Sequence, residues 1–126
     1  MTAKPSTTVA AMQAFLDAFN RHDADAIAAC FAEDGVYETP RGPDVWGTRV
    51  AGKANVRAHF AKMFATLPDI HFGTDTHWLS GDRAVSEWTM SYTRADGRRV
   101  EVRGCDLFAY RGDKIVKKDS YLKERV

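Results

Sequence analysis

The stretch RAVSEWTMSYTRADGRRVEVRGCDLFAY, residues 83–110, decides the fold. Two runs rich in β-branched and aromatic residues flank Asp96-Gly97, a dipeptide strongly favoured in tight hairpin turns. Similar punctuation lies on either side, as Ser80-Gly81-Asp82 upstream and Gly112-Asp113 downstream. These signals cut the second half of the chain into four strands, near residues 69–79, 83–94, 98–110 and 114–122, joined as a meander.

The turn chemistry also sets which residues face one another. If Asp96-Gly97 is a two-residue loop, Ala95 opposes Arg98 and Glu87 opposes Asp106. Opposed residues share a face. One face then carries Glu87, Thr89, Ser91, Val102, Gly104, Asp106 and Phe108, with Gly104 leaving space beside Asp106. The other carries Trp88, Met90, Tyr92, Cys105 and Leu107, an apolar patch that predicts a homodimer. Two facing carboxylates repel unless one is protonated or a cation lies near. The last hairpin can supply the cation. A three-residue loop puts Lys118 opposite Asp106, and a two-residue loop puts Asp119 there instead. The plainer alternative is a solvated face of ordinary surface charges.

The first half of the chain has helical period. After Pro5, Thr7 or Thr8 can cap a helix whose stripe is Val9, Met12, Leu16 and Phe19. Asp23 can cap a second, carrying Ile27, Cys30 and Phe31, with Gly35 just past its end. A short strand follows to Thr39, ending at Pro40. The glycine-rich stretch 41–52 is a loop or short irregular strand. A third helix, from about residue 53 to 66, has the stripe Val56, Phe60, Met63 and Phe64 and stops before Pro68. Helices first and an antiparallel meander afterwards is an α+β fold, three helices on one face of a curved sheet.

Composition narrows the function. The chain has 126 residues, 44% apolar and 28% charged, the mixture of one globular domain spanning 1–126. The net charge is +1, without the basic excess of a nucleic-acid binder. The longest apolar run, residues 26–32, is too short to span a membrane. The first residues lack an apolar signal core, and Cys30 and Cys105 form no metal or redox motif. A cytoplasmic location with reduced thiols is expected. His22, His59, His71 and His77 have no metal-ligand spacing, and no nucleophile or phosphate-loop motif is present, so no metal and no cofactor is expected.

The element order resembles the nuclear transport factor two-like superfamily. The residues carrying the resemblance are DADAI (23–27), FAEDGVY (31–37), Gly52-Lys53 and GCDLF (104–108), followed by Lys114-Ile115. The nearest functional relatives would be SnoaL-like polyketide cyclases and ketosteroid isomerases. The resemblance implies a cone of sheet and helices around an apolar pocket, with Asp106 where those enzymes keep a pocket carboxylic acid. It also places Phe15 where the isomerases have a tyrosine and Thr39 where they have the basic aspartate, so only Asp106 of that set carries over. A pocket of Phe15, Tyr37, Thr39, Phe60, Thr89, Gly104, Phe108 and Ser120 is expected. Asp106, Glu87 and Lys118 (or Asp119) would do the acid–base chemistry. The expected activity is cofactor-independent isomerisation, cyclisation or dehydration of a small apolar carbonyl compound. The alternative is a ligand-binding or dimerisation module of the same fold.

Overall fold

A computed structural model describes residues 7–126. Pro5 lies outside them. Helix α1 spans Val9–Asn20, and its N-terminus is capped by the Thr8 side chain, which accepts from the Ala11 N–H at 3.1 Å. Helix α2, Ala24–Ala29, is capped in the same way by Asp23. Strand β1 (Phe31–Glu38) begins almost at once, and β2 (Arg49–Ala51) pairs with it. Helix α3 covers Lys53–Thr66. Strands β3 (His71–Ser80), β4 (Arg83–Thr93), β5 (Arg99–Arg111) and β6 (Lys114–Leu122) complete the chain. The sheet order is β2-β1-β6-β5-β4-β3, antiparallel throughout except where β1 runs parallel to β6.

The α+β expectation therefore holds, with three helices against a curved, unclosed sheet. Gly35 is a correction. It is not past a helix end but inside β1, and its backbone is not left-handed. Its place is set by closeness, since a Cβ there would meet the Ile115 carbonyl oxygen at 2.8 Å and the Phe31 ring at 2.9 Å.

The second correction is the β4–β5 register. The loop holds three residues, Ala95-Asp96-Gly97, closed by Arg94 N–H to Arg98 O at 2.8 Å and Gly97 N–H to Arg94 O at 2.9 Å. Gly97 adopts φ +85°, the left-handed position of a type I turn with a bulge. The extra loop residue slips the pairing by one, and a slip of one turns a whole strand over. Glu87 thus opposes Cys105, while Ser86 opposes Asp106 and Trp88 opposes Gly104. Trp88, Met90 and Tyr92 join Asp106 on the inner face. Glu87 and Thr89 leave it for the outer face, beside Cys105 and Arg103.

The third correction is at β6. Its turn is the two-residue Gly112-Asp113, with Arg111 opposite Lys114. A bulge follows, because Tyr110 pairs with Ile115 but Ala109 pairs with Lys117, leaving Val116 extra. Neither anticipated register survives: Ser120 opposes Asp106 and Lys118 opposes Phe108. The bulge turns Lys118 and Ser120 inward, and Asp119 faces outward.

The helices bury Met12, Phe15, Leu16, Phe19, Ile27, Val56, Phe60 and Phe64 against the inner face of the sheet. Phe60 sits at the centre of this cluster, edge-on to Phe15 and Phe19 and stacked on Tyr37 at 5.2 Å. Phe60→Ala should destabilise the protein by about 3–5 kcal/mol in urea unfolding, the usual effect of emptying a buried aromatic site. A change below about 1 kcal/mol would mean that α3 does not pack on this face.

Candidate functional site

Four buried polar side chains meet under α1 and α3. Asp106 is 0% exposed, Lys118 2%, Ser120 5% and Trp88 1%. Asp106 Oδ1 receives the Lys118 ammonium at 3.1 Å and the Ser120 hydroxyl. Asp106 Oδ2 receives the Trp88 indole N–H at 3.0 Å. Ser120 Oγ in turn accepts from Lys118 Nζ at 2.7 Å. Every group around Asp106 is a donor, the surroundings of a carboxylate rather than of a carboxylic acid. Lys118 points in and forms a salt bridge with Asp106.

Trp88 owes its position to Gly104. A Cβ at Gly104 would lie 2.6–2.7 Å from the indole ring and 2.5 Å from the Tyr121 carbonyl oxygen. The space beside Asp106 is therefore filled by the indole rather than open.

The network borders an apolar cavity of about 370 Å³. Tyr37, Phe60, Phe72, Met90 and Tyr92 form much of its wall, with Lys118, Ser120 and Trp88 among the lining and Thr39, Arg41 and Thr48 completing it. Of the residues expected at a pocket, Tyr37, Thr39, Phe60 and Ser120 line it. Phe15 and Phe108 lie behind it, ring to ring at 5.7 Å in the core. Thr89 and Glu87 are on the far side of the sheet, and Asp119 bonds the Tyr121 hydroxyl on that outer side. Of the expected acid–base set, only Asp106 and Lys118 come together.

Lys118 has three N–H donors. Asp106 and Ser120 use two. The ammonium also lies 4.2 Å from the centre of the Tyr37 ring, on the cavity wall. His59, edge-on to Tyr37 at 5.3 Å between ring centres, lines the same cavity. Burial pushes the His59 pKa below its ordinary value of 6.5, and the Lys118 and Lys62 charges push it further down. A neutral imidazole and an ammonium thus both lie against one aromatic ring. Sequence reasoning passed over His59. A signal existed, since it is three residues beyond Val56 and four before Met63, on the flank of the buried stripe.

Glu38, next to Thr39, is committed elsewhere. Burial works to raise its carboxyl, but hydrogen bonds and charge from Arg49 (2.7 Å) and Lys117 (3.2 Å) hold it below the usual range. Among the described residues, no three His, Cys, Asp or Glu side chains come together as a metal site.

The fold agrees with what the chain resembles. The family model of the SnoaL-like domain matches residues 12–118, and the chain belongs to that family. Solved structures agree in fold. One, described provisionally as a polyketide cyclase from Xanthomonas campestris pv. campestris, has a TM-score of 0.78 at 24% identity, over 90% of this chain and 87% of that one. A protein of ketosteroid isomerase-like fold from Catenulispora acidiphila, in complex with trimethylamine, has a TM-score of 0.80 at 21% identity, over 91% and 86%. TerC, co-crystallised with polyporic acid, has a TM-score of 0.79 at 19% identity, over 91% and 90%. A comparison with curated proteins finds no match.

Removing one partner of a buried ion pair strands the other, and typically costs about 3–5 kcal/mol. Lys118→Met should do so in denaturant unfolding. Adding Asp106→Leu should recover much of the loss, because the stranded charge goes too. Additive losses in the double variant would show that the two groups are not coupled.

Proposed function

We propose that this SnoaL-like domain binds a small, largely apolar carbonyl compound in the cavity and moves a proton on it. The observation carrying this reading is the buried ammonium of Lys118, fixed by Asp106 and Ser120 at the wall of an apolar cavity that also holds a neutral imidazole. Lys118 donates to the carbonyl oxygen and stabilises the negative charge that develops there, an effect strong in a water-poor site. His59 takes the proton from the adjacent carbon. Returning it to a different carbon completes an isomerisation. Attack of the enolate carbon on a second carbonyl gives a cyclisation, and loss of a β-hydroxyl gives a dehydration. None of these steps requires a metal or organic cofactor. Asp106, Ser120 and Trp88 are positioning residues in this scheme, since they act through Lys118.

Exchange of α-protons for deuterium, followed by NMR in a panel of simple ketones, tests the reading without the natural substrate. Catalysed exchange should fall by about 100-fold or more in His59→Gln, with ketone affinity retained. The neutral imidazole is the active form and its pKa is lowered by burial, so exchange should fall off with acid at a lower pH than a free imidazole's titration would give. Ketone binding without exchange would favour the alternative, a binding module using the same cavity.

We further propose a homodimer in a reducing, cytoplasmic setting. Of the residues first expected, Cys105 and Leu107 stay on the outer face, while Trp88, Met90 and Tyr92 do not. Trp78 (50% exposed), Leu107 (39%) and Tyr121 (53%) form an apolar row with half-buried Val85 and Cys105 on the outer sheet face. Cys30 and Cys105 are both unpaired, in keeping with such a compartment. Sedimentation at micromolar concentration should give a dimer that Trp78→Glu/Leu107→Glu dissociates, and a wild-type monomer would contradict it.

A further inference from the structure

A second, larger groove of about 690 Å³ opens beside the cavity, and the two share Arg41 and Tyr92. Its character is opposite. Arg41, Arg94, Arg98, Arg99 and Arg125 line it, against Glu101 and Glu124. Some of this charge is answered. Arg99 holds Asp69 at 2.9 Å, Arg94 reaches Asp96 at 3.7 Å and Arg41 reaches Glu124 at 4.0 Å. Arg125 donates to the Glu101 backbone carbonyl at 3.2 Å, and no ion pair involves it among the described residues. No ion pair involves Arg98 among the described residues. Five arginines against two glutamates leave positive charge in excess along a groove that begins at Tyr92.

The cavity itself has the same bias. Lys118 and Arg41 are among its lining residues, and no Asp or Glu is, among those described. A wholly apolar ligand would have no use for the groove, and a cationic one would be repelled along its length.

We infer that the ligand is bipartite, with an apolar carbonyl head in the cavity and an arm ending in an oxyanion, a carboxylate or a phosphate, held by the arginines of the groove. This rests on the cavity reading given above and extends it to a substrate class. Strand geometry sets the arm. From Asp106 back to Arg98, one residue before β5 begins, is eight residues, roughly 26 Å at about 3.3 Å per residue, less the reach of the two side chains. Arginine suits the far end because its planar fork matches the two oxygens of a carboxylate or phosphate.

Calorimetric titration with four probes tests this. Acetophenone, too short to reach the groove, reports the cavity alone. A long-chain ω-benzoyl fatty acid, its methyl ester and the alkyl phosphate of equal length report the groove. The acid and the phosphate should bind at least about tenfold tighter than the ester at low salt. That preference should collapse in Arg94→Gln/Arg98→Gln and in about 0.5 M sodium chloride, where the screening length is roughly 4 Å. A phosphate preferred over the carboxylate assigns the phosphate, and equal affinity or a preference for the carboxylate assigns the carboxylate. An ester that binds as tightly as the acid, or a preference that survives the double substitution, overturns the inference even when acetophenone binds. Loss of acetophenone binding itself marks failure of the cavity reading instead.

Discussion

The ion pair of Lys118 with Asp106 is the constraint around which the inner face of the sheet is arranged. Two opposite charges taken out of water are tolerated only when their remaining donors and acceptors are met. Here Ser120 and Trp88 meet them, and each depends on a backbone device. The bulge in β6 turns Lys118 and Ser120 inward together. The absence of a side chain at Gly104 lets the indole lie flat enough to reach Asp106 Oδ2. Losing the bulge would part Lys118 from Asp106, and a side chain at Gly104 would cost Asp106 the Trp88 hydrogen bond, so local backbone geometry and site chemistry are tied together.

The same arrangement gives the cavity its chemical direction. Its walls are mostly aromatic and aliphatic, surroundings that strengthen a hydrogen bond made against them. Against that background the Lys118 ammonium is a fixed donor, oriented by Asp106 and Ser120. His59 complements it as the neutral partner, kept so by burial and by the nearby cations. The arginine groove beyond Tyr92 then extends the site from a polar point to a polar axis.

Much of the fold was legible because it depends on period and punctuation. The α3 stripe, the Asp23 cap, the Gly81 and Gly112 turns and the four long strands follow from local chemistry. The site was less legible, because sheet faces depend on single residues of register. Reading Asp96-Gly97 as a two-residue loop, when Ala95 joins it, moved Trp88 outward and Glu87 inward. The extra Val116 is invisible in composition, yet it decides that Lys118 rather than Asp119 meets Asp106. Lys118 was named for the right proximity through the wrong register, as it opposes Phe108 and reaches Asp106 diagonally. Phe15 and Phe108 were expected at the pocket because they are aromatic, but apolarity does not separate a cavity wall from the core behind it. His59 stood on the flank of the α3 stripe, but its place at the cavity depends on how α3 sits over Tyr37.

The most direct measurement is the carbonyl resonance of a ¹³C-labelled ketone bound to the protein. A hydrogen bond from an ammonium draws electron density from the carbonyl carbon and moves its signal downfield. The account predicts a downfield shift on binding to the wild-type protein that disappears in Lys118→Met/Asp106→Leu, a variant that keeps the cavity without a buried lone charge. A bound ketone with the same carbonyl shift in both proteins would contradict the claim that Lys118 holds the ligand oxygen.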